Sequence, residues 1–104
     1  MAWVYLLLAG LLEIAWATGL KLSNGFSRPV ITTATIALMA ASFGLLAMAL
    51  RSLPVGSAYA VWTGIGTIGT VLIGIWAFGE QASAMRIAFI GLIVVGIAGL
   101  KLTS

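Results

Sequence analysis

The residue with the clearest chemical potential is Glu13, which lies inside an otherwise apolar segment near the start of the sequence. An ionisable side chain at this depth of a membrane helix is costly and generally has a functional role. No Lys, Arg or His occurs at a matching depth in the other apolar segments, so Glu13 lacks an evident counter-charge. We therefore expect its carboxyl group to hold a proton and to exchange it for a cation. The alternative is a protonated Glu13 with only a structural interhelical hydrogen bond.

The helical neighbours of Glu13 predict the direction in which its side chain points. Residues three and four positions away share a helix face, and here they are Ala9, Gly10, Trp16 and Ala17. Three of these are small enough to let another helix approach closely, and the indole of Trp16 carries an N–H donor. Glu13 is therefore expected to face other helices or a cavity, and not lipid.

Two aromatic residues and one hydroxyl could complete a cation site. Tyr59 and Trp62 are three residues apart and share a helix face, and aromatic faces attract cations. An interfacial aromatic belt is the alternative for Tyr59, because it lies near a predicted helix start. Ser42 lies midway along another apolar segment, but serine often bonds its own backbone carbonyl, so alone it is weak support for a site.

The composition requires that these residues be positioned by helices in a lipid bilayer. Of the 104 residues, 62% are apolar, five are basic and two are acidic, and the mean hydropathy is +1.23. A water-soluble domain normally has about 25% charged residues. With no Cys and no His, disulfides and the usual zinc sites are excluded, and a net charge of +3 without clustering does not suit nucleic-acid binding. Nothing in the sequence indicates an enzyme, a metal or a cofactor.

Charged and turn residues divide the sequence into four spans, at about residues 3–20, 29–50, 57–78 and 84–100. Each is close to the roughly 20 residues that a membrane-spanning helix needs. The apolar runs do not alternate with polar residues as β-barrel strands do. Ala15-Trp16-Ala17 is similar to a signal-peptidase site, but no basic residue precedes it, so we expect the first span to be retained. The prediction is an all-α integral membrane protein in which residues 1–104 form one transmembrane domain.

Glycine placement suggests how these helices pack and bend. Gly66, Thr70 and Gly74 recur at every fourth position of the third span, which favours close helix contact, and Gly64 with Gly66 could weaken the helix locally. The fourth span has no polar side chain at depth and is expected to serve packing or dimerisation. Glu80 falls between the third and fourth spans, where we expect a solvated carboxylate.

The basic residues give almost no preference for one orientation in the membrane. Arg51 and Lys101 would lie on one side, and Lys21, Arg28 and Arg86 on the other. Because orientation follows the Lys/Arg bias between short loops, the chain is expected to insert both ways. Two antiparallel copies would then provide the inverted repeats that alternating-access transporters use around a site near the bilayer midplane. An obligate heterodimer with a paralogue of fixed orientation is the less favoured alternative.

Several motifs together resemble the small multidrug resistance family over the whole chain. They are Glu-x-x-Trp at 13–16, Lys-x-Ser-Asn-Gly-Phe at 21–26, and Pro-x-Gly-x-Ala-Tyr-Ala-x-Trp at 54–62. The resemblance implies a proton-coupled exporter in the bacterial inner membrane that works as an antiparallel homodimer. It further implies that Glu13 of both subunits binds protons and substrate in competition.

Within that family the sequence is more similar to guanidinium exporters than to exporters of bulky quaternary ammonium ions. Trp16 and Ser42 occupy positions that in the guanidinium subtype help to form a hydrogen-bond network around the central Glu. Multidrug exporters typically have a Tyr near the position of Met39. The resemblance implies that Trp16 and Ser42 orient Glu13, while Tyr59 and Trp62 form walls of the site. A multidrug exporter of lipophilic cations, or a membrane subunit that does not transport, remains the alternative.

The same resemblance implies roles for two further groups of residues. It supports a bend in the third helix at Gly64 and Gly66. It also places dimer contacts on the fourth helix, at Leu92, Ile93, Gly96 and Ile97. The expected partners are thus guanidinium-type cations, protons, the lipid bilayer and a second copy of the chain.

Overall fold

The structure, a computed structural model, describes residues 1–103. Its four helices are α1 (Ala2–Leu22), α2 (Pro29–Ala49), α3 (Val55–Ala77) and α4 (Ala84–Thr103). They contain between 20 and 23 residues each and are long and apolar enough to cross a membrane. The prediction of an all-helical chain with four membrane-spanning helices is confirmed.

The helix ends follow the proline and charge pattern of the sequence. Pro29 and Pro54 stand at the starts of α2 and α3, where the missing N–H of proline is not needed. α3 begins at Val55, two residues before the predicted start, because the chain turns into the helix directly after Pro54. α4 continues past residue 100 to Thr103, since no helix-breaking residue interrupts it and Lys101 can extend towards the aqueous interface.

The connection between α1 and α2 is a tight turn built on left-handed backbone. Asn24, Gly25 and Phe26 have φ angles of 51°, 71° and 66°. Ser23 is buried, and its hydroxyl donates to the carbonyl of Leu20 at 2.8 Å while accepting the amide N–H of Phe26 at 3.2 Å. The Asn-Gly turn chemistry of the sequence is thus used here, with Ser23 as its internal anchor.

The helices lie side by side in the order α2, α1, α3, α4, and the chain measures 41 × 35 × 16 Å. Within residues 1–103, the backbone of α4 comes close to that of α3 alone. Glycines allow α1 and α3 to approach: a β-carbon at Gly10 would lie 2.6 Å from Cγ2 of Ile65, and one at Gly69 would overlap Ile14. The result is a slab of helices with a small buried core, comprising Leu6, Ala9, Ala49, Ala58, Val61 and Trp62.

Candidate functional site

Glu13 lies at the middle of α1, and its carboxyl group rests on the backbone of Gly66 in α3. A β-carbon at position 66 would overlap the Oε1 and Cδ atoms of Glu13, so only glycine leaves room for the carboxyl group. Oε1 is buried and has no hydrogen-bond partner among the described residues. The side chain opens into a cleft of about 280 Å³ between α1 and α3, lined also by Ala17, Thr67, Thr70 and Val71. The Glu13 side chain thus borders a space that a small molecule could occupy, while its Oε1 is buried against Gly66 without a partner.

Ser42 joins three helices by hydrogen bonds in the buried layer next to Glu13. Its hydroxyl donates to the backbone carbonyl of Ala9 in α1 at 2.7 Å and accepts the indole N–H of Trp62 in α3 at 3.1 Å. The Ser42 hydroxyl therefore donates to a carbonyl of α1 and not to a backbone carbonyl of its own helix, α2. A hydroxyl has a single proton, so in this arrangement Ser42 has none to donate to Glu13, in contrast to the expected orienting contact.

Trp16 likewise makes no hydrogen bond to Glu13 in the part of the chain that the structure describes. Its indole N–H is buried without a partner, and its ring meets that of Phe43 edge-on, with the two centroids 6.0 Å apart. The donor of Trp16 is thus held close to the site by ring packing.

Four aromatic rings from α1, α2 and α3 form a continuous row. From Trp16 the row passes to Phe43, to Trp62 at a centroid distance of 5.7 Å, and to Tyr59 at 5.6 Å. Trp62 is only 6% exposed, whereas Tyr59 is 57% exposed and lies at the open end of the row. Phe43 was missed in the sequence analysis, although an aromatic residue directly after Ser42 and at the same depth is a signal that could have identified it.

Gly64 and Gly66 lie within an unbroken α3 and provide room for side chains of two different helices. Gly66 receives Glu13, while a β-carbon at Gly64 would lie 2.7 Å from Cδ1 of Ile97 in α4. The predicted bend at these glycines is not accompanied by a break in the helix, because α3 runs continuously from Val55 to Ala77. Close packing on both sides accounts for both glycines.

The residues assigned to dimer contact divide between two faces of α4. Ile93 and Ile97 pack on Gly64 of the same chain, whereas Leu92 is 65% exposed and Gly96 also faces outward. No residue of α4 between Ala84 and Thr103 is buried within the chain. Leu92 and Gly96 of the predicted set thus face outward, and Ile93 and Ile97 are partly exposed beside Gly64.

The chain is similar to known proteins along its length. A family profile described as Small Multidrug Resistance protein matches residues 1–93. A guanidinium exporter of Yersinia pseudotuberculosis is 59% identical over 104 residues, which cover all of both chains. Guanidinium exporters of Escherichia coli K12 and Citrobacter freundii are each 54% identical over 104 residues, covering all of this chain and 99% of theirs. The chain, a multi-pass membrane protein, therefore belongs to the small multidrug resistance family.

Proposed function

We propose that the chain exports guanidinium and small substituted guanidinium cations from the bacterial cell across the inner membrane, in exchange for protons. The observation that carries the proposal is the Glu13 carboxyl group, which faces a cleft of about 280 Å³ with its buried Oε1 unpaired among residues 1–103. The guanidinium exporters that match the full length of the chain support the choice of cation.

The chemistry of guanidinium suits this group of residues. Guanidinium is planar, carries N–H donors around its edge and pairs with a carboxylate through two parallel hydrogen bonds. Its faces stack on aromatic rings, and Trp62, four residues before the Gly66 on which Glu13 rests, offers such a ring together with Tyr59. Glu13 would bind the edge of the cation, and the aromatic row would contact its face.

Competition at Glu13 would couple the two fluxes. A protonated carboxyl group has lost the negative charge that binds the cation, so proton and guanidinium exclude each other. Release of the proton on one side of the membrane would allow the cation to bind, and the change of access would carry it across. Ser42 and Trp16 would then serve as positioning residues, Ser42 through Ala9 and Trp62, and Trp16 through Phe43.

The working unit in this proposal is an antiparallel homodimer. The chain is a slab of helices only 16 Å in its shortest dimension, and the cleft beside Glu13 is open to one side. A second copy would close it and contribute a second Glu13. The outward residues Leu92 and Gly96 of α4 suit this contact, and the near-even split of basic residues permits both orientations.

Export of larger lipophilic cations is the second candidate, and the row of four aromatic rings favours it. Quaternary ammonium ions have no N–H donors and bind mainly to aromatic faces. The two candidates therefore differ in whether the carboxylate recognises hydrogen-bond donors or only charge.

Proton-coupled currents in proteoliposomes would test both candidates. We expect currents on addition of guanidinium and weak or no currents with tetraethylammonium. A response to tetraethylammonium alone would exclude the guanidinium proposal and favour the second candidate. Glu13→Gln, which keeps the shape of the side chain, should abolish the current, whereas Glu13→Asp keeps the charge and should retain part of it.

A further inference from the structure

Each of the two carboxylates of the chain rests on a glycine of α3. Glu13 lies on Gly66, and the Glu80 side chain folds back onto Gly74, where a β-carbon would overlap its Oε1 atom. Gly66 and Gly74 are eight residues apart, which corresponds to about 12 Å along a helix. Both carboxylates therefore lie along the inclined i, i+4, i+8 row of α3, the first at mid-helix and the second at the helix end.

The clefts beside these carboxylates adjoin each other. The cleft at Glu13 and a second one of about 120 Å³ at Glu80 share Ala17, Thr70 and Val71 as lining residues. Thr70 lies midway between the two glycines and contributes a hydroxyl to the shared part. One groove between α1 and α3 thus leads from the end of α3 to Glu13, with an acidic side chain at each end.

At the outer end of the groove, Glu80 already pairs with a guanidinium group, that of Arg86, which reaches it from a neighbouring cleft lined by Val71, Phe89, Ile90 and Ile93. One terminal nitrogen of Arg86 donates to the carbonyl of Gln81 at 2.6 Å, and the other lies 3.7 Å from Oε1 of Glu80. A carboxylate and a backbone carbonyl together are acceptors suited to the N–H edge of any guanidinium. The side chains of Arg86 and Glu80 are 40% and 42% exposed, so the pair is weak and readily exchanged.

Local backbone structure holds Glu80 in this position. The amide N–H groups of Phe78 and Glu80 both donate to the carbonyl of Gly74, at 3.1 and 3.0 Å. Gly79 has a φ of 67°, a conformation that glycine adopts without strain. Lys21 lines the same cleft, with its amine 5.3 Å above the ring centre of Phe78, and its charge would keep binding at Glu80 weak.

We propose that Glu80 and the Gln81 carbonyl form an outer binding site for guanidinium-class cations. A cation would occupy it by displacing the guanidinium of Arg86 and would pass along the Thr70 groove to Glu13. Arg86 is then a built-in competitor that keeps occupancy of the outer site low. This inference rests on the proposed function for its choice of cation.

Equilibrium binding of radiolabelled guanidinium to the purified Glu13→Gln protein would test the outer site apart from transport. We expect weak binding that Glu80→Gln removes and that Arg86→Gln strengthens by roughly two- to fivefold, the range expected for an exposed ion pair. Glu80→Asp, with the same charge, should retain binding. Arg28→Gln removes a positive charge at the same end of the helices and serves as the matched control, with no change expected.

Three outcomes would overturn the outer site: no binding to Glu13→Gln, binding that Glu80→Gln leaves intact, or equal strengthening by Arg28→Gln and Arg86→Gln. Elution of each variant as one symmetric peak in size-exclusion chromatography would show that the protein is folded. The proposed function is tested separately by the currents of the unmodified protein. Absence of those currents together with Glu80-dependent binding would reject the transport proposal and keep the site.

Discussion

The carboxyl group of Glu13 occupies the space that a β-carbon at Gly66 would fill. The space that the Glu13 side chain occupies is therefore provided by a residue on a different helix. The position of the carboxyl group therefore depends on Gly66 as much as on the residues that surround Glu13 on α1.

Gly66→Ala should displace Glu13 and lower guanidinium-coupled current by about tenfold or more, since small displacements of a reacting group have large effects. Gly91→Ala is the matched control, because a β-carbon there would meet no atom within 4 Å. Current amplitudes of the two variants in proteoliposomes, at equal protein density, provide the comparison. Equal currents would show that the Gly66 contact does not position Glu13.

Ser42→Ala should destabilise the protein by about 1–3 kcal/mol, because it leaves the indole N–H of Trp62 buried without an acceptor. Thr33→Ala removes an exposed hydroxyl that bonds only to Pro29 in the same helix, and should change stability by less than about 0.5 kcal/mol. Unfolding in detergent, followed by Trp fluorescence, would measure both. A similar effect of the two substitutions would contradict the structural role assigned to Ser42.

Lowering the pH should raise the apparent KM for guanidinium, because protons and the cation compete for the Glu13 carboxylate. The maximal rate at saturating guanidinium should change less than KM if competition is the cause. The dependence of current on guanidinium concentration, recorded at several symmetric pH values, would separate the two parameters. A fall in maximal rate with constant KM would instead indicate that proton and cation bind at different groups.

Gly79→Ala should destabilise the turn after α3 by about 1–2 kcal/mol, since the φ of 67° at this position is unfavourable for residues with a β-carbon. Gly99→Ala, in the open part of α4, should be neutral or slightly stabilising because alanine favours helix. Thermal unfolding of the two variants in the same detergent would show the difference. A neutral Gly79→Ala would mean that the turn adopts another conformation.

The helices could be predicted from sequence because the charges are so few. Six of the seven charged residues lie at helix ends or in connections, and the prolines at positions 29 and 54 precede or begin helices. Such signals are local and do not depend on packing. The fourth helix continues three residues beyond its predicted end near residue 100, because Lys101 can stay helical while its side chain extends towards the aqueous interface.

Hydrogen-bond partners in the site could not be predicted in the same way. Ser42 was expected to act on Glu13, yet its hydroxyl bonds Ala9 and Trp62. Which of several groups a hydroxyl reaches depends on the rotation of two neighbouring helices, and periodicity determines that rotation only to within about one residue. The sequence places Phe43 at the depth of Ser42, but its ring contacts with Trp16 and Trp62 depend on how α2 packs.

The slab arrangement has a consequence for how this sequence can vary. In a compact helical bundle the central residues are buried. Here the buried core within residues 1–103 comprises six apolar residues, and most side chains face outward. Along α4, replacing one apolar residue by another of different size costs the isolated chain little packing, while introducing a charge costs solvation in lipid. Along such a helix, almost every position must therefore remain apolar, whereas only a few positions require a side chain of one particular size and shape. We expect those few, such as Gly66 and Ala9, to tolerate the least change.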